Sequence, residues 1–273
     1  MNATSMPFAP SANVFTSALT LDAVRQRAPA VFAPSPHERT SSKYTFIPTE
    51  RVLSGLMEAG FVPVEARQTQ ARRASPLHAR HVVRLRRRLE TVQLKDSVPE
   101  VVFLNSHDGT SSYQLRVGIF RVVCTNGLIV SRGAFPGVYV PHRGNVVDDV
   151  IAGALQIAQR FEGLALQVER MESRMLRVDE QLAFAGRALA LRFPNVVESG
   201  MQPLQLLTIR RAGDTGQDLW STLNKVQENL IRGGLTRRTA TGRLTRTRGI
   251  TAIRRDVELN SRLWELAAEV LAA

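Results

Sequence analysis

The chain has 273 residues, 44% of them apolar, which is enough to bury a sizeable core in one large domain or two small ones. Its formal net charge is +12, and arginine carries nearly all of it, because lysine occurs only at Lys43, Lys95 and Lys225. A single cysteine, Cys124, excludes an internal disulfide and any multi-cysteine zinc site. An arginine-rich surface suits nucleic acid, since guanidinium binds phosphate bidentately and stacks on bases. A GC-rich coding sequence gives the same composition without any such role.

The first charged residue is Asp22. The run before it lacks both the basic start of a signal peptide and the apolar length of a membrane span, so a cytoplasmic protein with no membrane partner is expected. Residues 1–42 hold Pro7, Pro10, Pro29, Pro34 and Pro36 among Ser, Thr and Ala, and read as a flexible arm with a short helix near Thr20–Gln26. Pro48-Thr49-Glu50 opens a helix that Gly60 stops, with Val52, Leu53, Leu56 and Met57 on its apolar face. Strands follow at Phe61–Gln70, His81–Leu89 and Glu100–Asn105, an antiparallel sheet behind one helix. Tyr113–Phe120 alternates like a strand, while Leu115, Ile119, Val122 and Val123 are spaced for a helix; the reading preferred is a strand running into a short helix that ends at Asn126-Gly127.

After Gly144 the pattern becomes helical. A helix capped by Asn145 continues to about Met175, and a second runs from Asp179 to Arg192. A third begins near Pro203, a fourth spans Gln217 to Arg232, and the last runs from about Thr251 to Ala272. The fold class is therefore α+β: an N-terminal helix plus antiparallel sheet, followed by a mainly helical C-terminal region. The expected organisation is an arm at 1–42, an α+β region at 43–144 and a helical region at 145–273 with a basic loop at 232–249.

Two stretches are strongly basic. On the second strand Arg84, Arg86 and Arg88 fall on one face, a possible phosphate track, or else an ordinary solvated face. Between the last two helices lie Arg237, Arg238, Arg243, Arg246 and Arg248, interleaved with Gly and Thr and with no acid. This mobile loop can wrap a nucleic-acid backbone, or merely connect two helices. Exposed aromatics for base stacking are few, which favours backbone binding over base reading.

The densest cluster of chemically capable groups is Asn105, His107, Asp108 and Gly109, followed by Arg121, Cys124, Asn126 and Gly127. Asp108-Gly109 is explained by a turn alone, and a zinc site needs three or four converging ligands that the sequence does not display. Cys124 beside Val122 and Val123 reads as a small buried hydrophobe more readily than as a nucleophile with His107 as base. The P-loop, dinucleotide, zinc-protease and nucleophile-elbow signatures are absent. No cofactor or metal is expected, and no catalytic residue is assigned.

The segments Y-T-F-I-P-T-E-R-V-L-S-G-L-M-E-A-G-F, V-V-F-L-N-S-H-D-G-T-S-S-Y and F-R-V-V-C-T-N-G-L resemble the phage/plasmid-like proteins of domain of unknown function 932, as does T-R-G-I-T-A-I-R-R-D-V-E-L-N-S-R-L-W-E-L near the end. The resemblance implies carriage on plasmids and prophages, and supplies no agreed catalytic residues. A helix, an antiparallel sheet with basic strands and a long helix are also similar in outline to single-strand annealing proteins of the Rad52 type. The expectation is a non-enzymatic, oligomeric protein that holds single-stranded DNA through Arg84, Arg86, Arg88 and the Arg237–Arg248 loop, with the motif residues shaping the central turn. The alternatives are an effector that binds a host defence protein, and a hydrolase or nuclease using His107, Asp108 and Cys124.

Overall fold

The computed structural model describes residues 18–69, 76–92, 94, 97–121, 127–130, 135–194, 200–211, 214–239 and 241–273. The architecture is α+β. Its centre is an antiparallel sheet of β1 (Phe61–Gln68), β2 (His81–Arg87), β3 (Ser97–Asn105), β4 (Tyr113–Arg121) and β5 (Gly127–Val130), in that spatial order. A short β6 (Val138–Val140) lies end to end with β5 along the same edge of β4.

The sheet is covered on both faces, and the period-2 alternation of its strands decides what each cover sees. Val83, Leu85, Val101, Phe103, Leu115 and Val117 belong to the core packed beneath α2 (Thr49–Glu58) and α3 (Val146–Ala158). Gly153 lets α3 approach closely, since a Cβ there would lie 2.7 Å from Leu115 and 2.9 Å from Val138. On the opposite face Val82, Val102, Leu104, Phe120 and Ile129 cluster with Ile253 and Val257 of the C-terminal helix α7 (Ile253–Ala272). The remaining helices, α4 (Phe161–Ser173), α5 (Val178–Arg192) and α6 (Leu219–Arg232), pack with α7. Their core is continuous with that under the sheet.

Most expected elements are present, and the differences have physical causes. The stretch from Asn145 to Met175 forms two helices rather than one, with a break at Gln159 and Arg160. Val146, Val150, Ala154 and Ile157 face the sheet, whereas Leu164, Val168 and Met171 join the helical core, and a straight helix cannot serve both. The third helix is a short 3-10 segment, Pro203–Leu207. Residues 18–33, read from composition as part of an arm, are seated on the body. Thr20 caps α1 (Leu21–Arg27), and Val24, Ala28, Ala30 and Val31 are fully buried. Leu19 N–H donates to the Pro63 carbonyl at 2.7 Å, and Ala30 N–H to Gln68 Oε1 at 2.8 Å. The short helix expected after β4 lies outside the described residues.

Where a mobile loop was expected, the chain forms a hairpin. β7 (Thr236–Arg238) pairs with β8 (Leu244–Arg246) in the register Thr236↔Arg246, Arg237↔Thr245 and Arg238↔Leu244. Its turn closes through Thr239 N–H to the Arg243 carbonyl at 2.9 Å, with Gly242 at φ +78°.

Candidate nucleic-acid interface

The expected cationic face of β2 is not a solvent-exposed track. Arg84 is only 8% exposed, and its Nε donates to Glu100 Oε2 at 2.6 Å while its Nη1 binds Glu65. Arg86 Nε reaches the same Glu100 at 2.7 Å. Glu100 is fully buried, and the Arg84 guanidinium lies 3.4 Å from the centre of the Phe120 ring. The carboxylates that neutralise these arginines come from β1 and β3, so the sequence of β2 by itself shows only the cations. Arg67 pairs with Asp256 at 2.5 Å, tying β1 to α7 over the same face. Only Arg88, just beyond the end of β2, is exposed as expected.

The N-S-H-D-G segment builds a buried hydrogen-bond network. Thr49, Asn105 and His107 are fully buried, His81 is nearly so, and His142 closes the group. The protonation pattern follows from the partners. His81 Nδ1 lies 3.0 Å from the Ala79 carbonyl, which can only accept, so Nδ1 carries the proton and Nε2 accepts from the Thr49 hydroxyl at 3.0 Å. Thr49 Oγ1 then accepts from Asn105 Nδ2 at 3.0 Å and from His107 Nε2 at 2.9 Å. His107 Nδ1 is left to accept from the Tyr44 hydroxyl at 3.4 Å, and His142 Nε2 donates to Asn105 Oδ1 at 3.0 Å. Tyr44 stacks on His142 with ring centres 4.4 Å apart, and Tyr113 lies tilted against it at 4.3 Å.

Burial holds all three imidazoles neutral. It pushes His107 down to about 3, helped by the neighbouring His81 and His142. It pushes His81 and His142 down to about 4. Burial likewise raises the Tyr44 and Tyr113 phenols. Asp108 is lowered: burial works against its charge, but hydrogen bonds from Ser106 and Thr110 prevail, with Arg80 adding to them. Those bonds make Asp108 the clasp of the turn, at 2.7 Å from both hydroxyls and 3.0 Å from the Thr110 N–H, and Gly109 follows at φ +77°.

The motif residues thus order the β3–β4 turn and lock it to α2, and His107 presents no surface to a substrate. Arg121 ends β4 opposite Ser97, and Gly127 begins β5 opposite Phe120. Cys124 and Asn126 lie outside the described residues. Sequence reading missed His81, His142, Thr49 and Tyr44 as members of the group; the shared β2–β3 register His81↔Asn105 brings the first of them in. Among the described residues no cluster of three His, Cys, Asp or Glu side chains is disposed to hold a metal ion.

The hairpin arginines have a different setting. Arg237, Arg238, Arg243, Arg246 and Arg248 are all exposed. Among the described residues none of them is paired with a carboxylate. The register puts Arg238 and Arg246 on one side of the ribbon and Arg237 on the other. Its base is held firmly. Gly233 caps α6 at φ +71°, Leu235 is buried, and Gly234 N–H donates to the Thr247 carbonyl at 2.8 Å. Arg210 Nη2 donates to the Gly233 carbonyl at 2.6 Å.

A cleft of about 460 Å³ beside the start of α7 adds Arg39, Arg80 and Arg254, with His37, His78 and Asp108 in its wall.

Residues 36–264 match the family described as "Domain of unknown function (DUF932)". The chain is 43% identical to "UPF0380 protein YfjQ" and 42% identical to "UPF0380 protein YafZ", both of Escherichia coli (strain K12). Each match runs over 258 residues, 93% of this chain and 92% of the relative. No solved structure matches the chain, and no helix among the described residues is long and apolar enough to cross a membrane. On the extent of the match and the identity of its relatives, the chain belongs to the DUF932 family.

Proposed function

We propose that this protein is a non-enzymatic nucleic-acid-binding protein that grips the phosphate backbone, with single-stranded DNA as its ligand and the β7–β8 hairpin as its principal contact. The observation that carries this reading is the set of exposed hairpin arginines that, among the described residues, have no carboxylate partners, on a moored two-stranded ribbon. The arginines that brace the sheet and the end of α6 are instead neutralised, by Glu65, Glu100, Glu228 and Asp256. Five like charges left together are costly unless an anionic partner shares them. Phosphate contacts of this kind fix a strand without reading its bases.

Arg84 and Arg86 have no part in the reading, because their charges are satisfied internally. Assembly into an oligomer belongs to it, since repeating a weak backbone site along a strand multiplies its hold. A plasmid or prophage setting also belongs to it.

The test is fluorescence anisotropy with labelled single- and double-stranded oligonucleotides over a salt series. It compares the wild type with the Arg237, Arg238, Arg243, Arg246 and Arg248→Ala variant. Salt-sensitive binding by the wild type, tighter for the single strand and lost in the variant, is the expected result. Absence of binding at low salt would sink the proposal, and equal binding by the variant would displace the hairpin from it.

A further inference from the structure

A second basic feature lies at the foot of the hairpin. The end of α5 and the start of α7 enclose a groove of about 480 Å³, into which Arg192, Arg255 and Arg262 contribute, with Glu258 on the same wall. Arg192 Nη2 donates to the Arg248 carbonyl, and its guanidinium sits 4.8 Å from the centre of the Phe193 ring. Its Nη1 is buried and has no hydrogen-bond partner. Among the described residues neither Arg192, Arg255 nor Arg262 forms an ion pair. Burial lowers the Arg192 pKa, and the charge of Arg255 lowers it further.

A guanidinium only donates, so a group bound among the arginines that line the groove must supply acceptors. A water oxygen can accept one such bond, but it does not offset two adjacent cations. A tetrahedral oxyanion does both: it offers several acceptors to the guanidinium forks and brings the compensating charge.

We infer that this groove is a binding site for a phosphate group, held by Arg192 and Arg255 with Arg262 at its rim. The site is separate from the hairpin surface, although Gly249 lines it and continues from β8. The inference stands on the groove itself. If the proposed backbone binding is also correct, the group bound is a phosphate of the strand leaving the hairpin. Otherwise it is free phosphate or a phosphorylated small molecule.

The experiment measures the thermal unfolding midpoint of the full chain with and without inorganic phosphate at matched ionic strength. It compares wild type, Arg255→Ala, Arg262→Ala and, as a surface control, Arg88→Ala. Arg255, Arg262 and Arg88 are exposed, so these variants are expected to fold. Ligand that binds only the folded state raises the midpoint. A rise in wild type and Arg88→Ala that is abolished in Arg255→Ala and reduced in Arg262→Ala is the expected result. It corresponds to a loss of phosphate affinity of about tenfold or more for the charge-assisted bonds of Arg255. An identical shift in wild type and Arg255→Ala, or none in either, overturns the site.

Oligonucleotide binding by the same variants then separates the sources. Weakening by Arg255→Ala assigns the site to the strand, and unchanged binding assigns it to free phosphate. If oligonucleotides fail to bind while the phosphate shift persists, the backbone-binding proposal fails and the groove remains.

Discussion

At the scale of single residues, Thr49 is the pivot of the buried network, because one hydroxyl serves three partners. Thr49→Val keeps the shape and removes the hydroxyl, leaving His81 Nε2, His107 Nε2–H and Asn105 Nδ2 unpaired. A loss of stability on the order of 3 kcal/mol is expected, measured by urea denaturation. The same network makes stability depend on pH. His81 and His142 at about 4 and His107 at about 3 lie below the ordinary histidine value of 6.5. As pH falls below 6.5 the unfolded chain takes up protons that the folded chain refuses. The stabilisation is therefore complete above 6.5 and is lost progressively down to about 4 for His81 and His142 and about 3 for His107. Each histidine contributes roughly 1.4 kcal/mol per unit of depression, so the denaturation midpoint should fall steeply across this window. A flat profile between pH 7 and 4.5 would contradict the assignment of three neutral imidazoles.

At the scale of elements, the face of the sheet beneath α7 rests on Glu100, which two arginines of β2 share. Glu100→Ala removes the buried carboxylate that Arg84 and Arg86 share, leaving Glu65 to hold Arg84, and should cost about 3 kcal/mol in chemical denaturation. Exposed Arg88→Ala should change stability by less than about 0.5 kcal/mol in the same assay. The hairpin depends on the conformation at its base. A Cβ on Gly233 would lie 2.7 Å from the Arg248 backbone, at a residue with φ +71°. Gly233→Ala should therefore loosen the ribbon, seen as faster amide exchange across β7 and β8 and as weakened oligonucleotide binding with all arginines still present.

At the scale of the whole molecule, the distribution of charge sets two groups of arginines apart. One population is neutralised and braces the sheet, the α6 end and the β1–α7 contact. The other is exposed on the hairpin and collected in the neighbouring groove and cleft. Backbone binding by the second population implies counterion release, so log K should fall linearly with log salt. Each hairpin arginine that contacts a phosphate should, when changed to Ala, flatten that slope by about 0.7 for a single strand. The measurement is the anisotropy salt series on Arg238→Ala and Arg246→Ala taken singly.

The sequence alone determined the helices whose apolar spacing or capping is local, such as Thr49–Glu58 and Val178–Arg192, and the strands whose alternation is clean. It also showed that His107 and Asp108 sit in a turn, and that residues 232–249 concentrate arginine. These features follow from interactions over a few residues. What it did not determine depends on partners far along the chain. Arg84 and Arg86 looked available because Glu65 and Glu100 lie on other strands, and antiparallel register alone brings them together. The His81–Thr49–His107–Asn105–His142 network draws on residues separated by up to 93 positions. Residues 18–33 looked like an arm because an apolar Pro-Ala-Val-Phe turn reveals its place only once Gln68 and Pro63 offer hydrogen bonds to it. Composition set how much charge the molecule carries, and tertiary structure decided which of those charges are already satisfied.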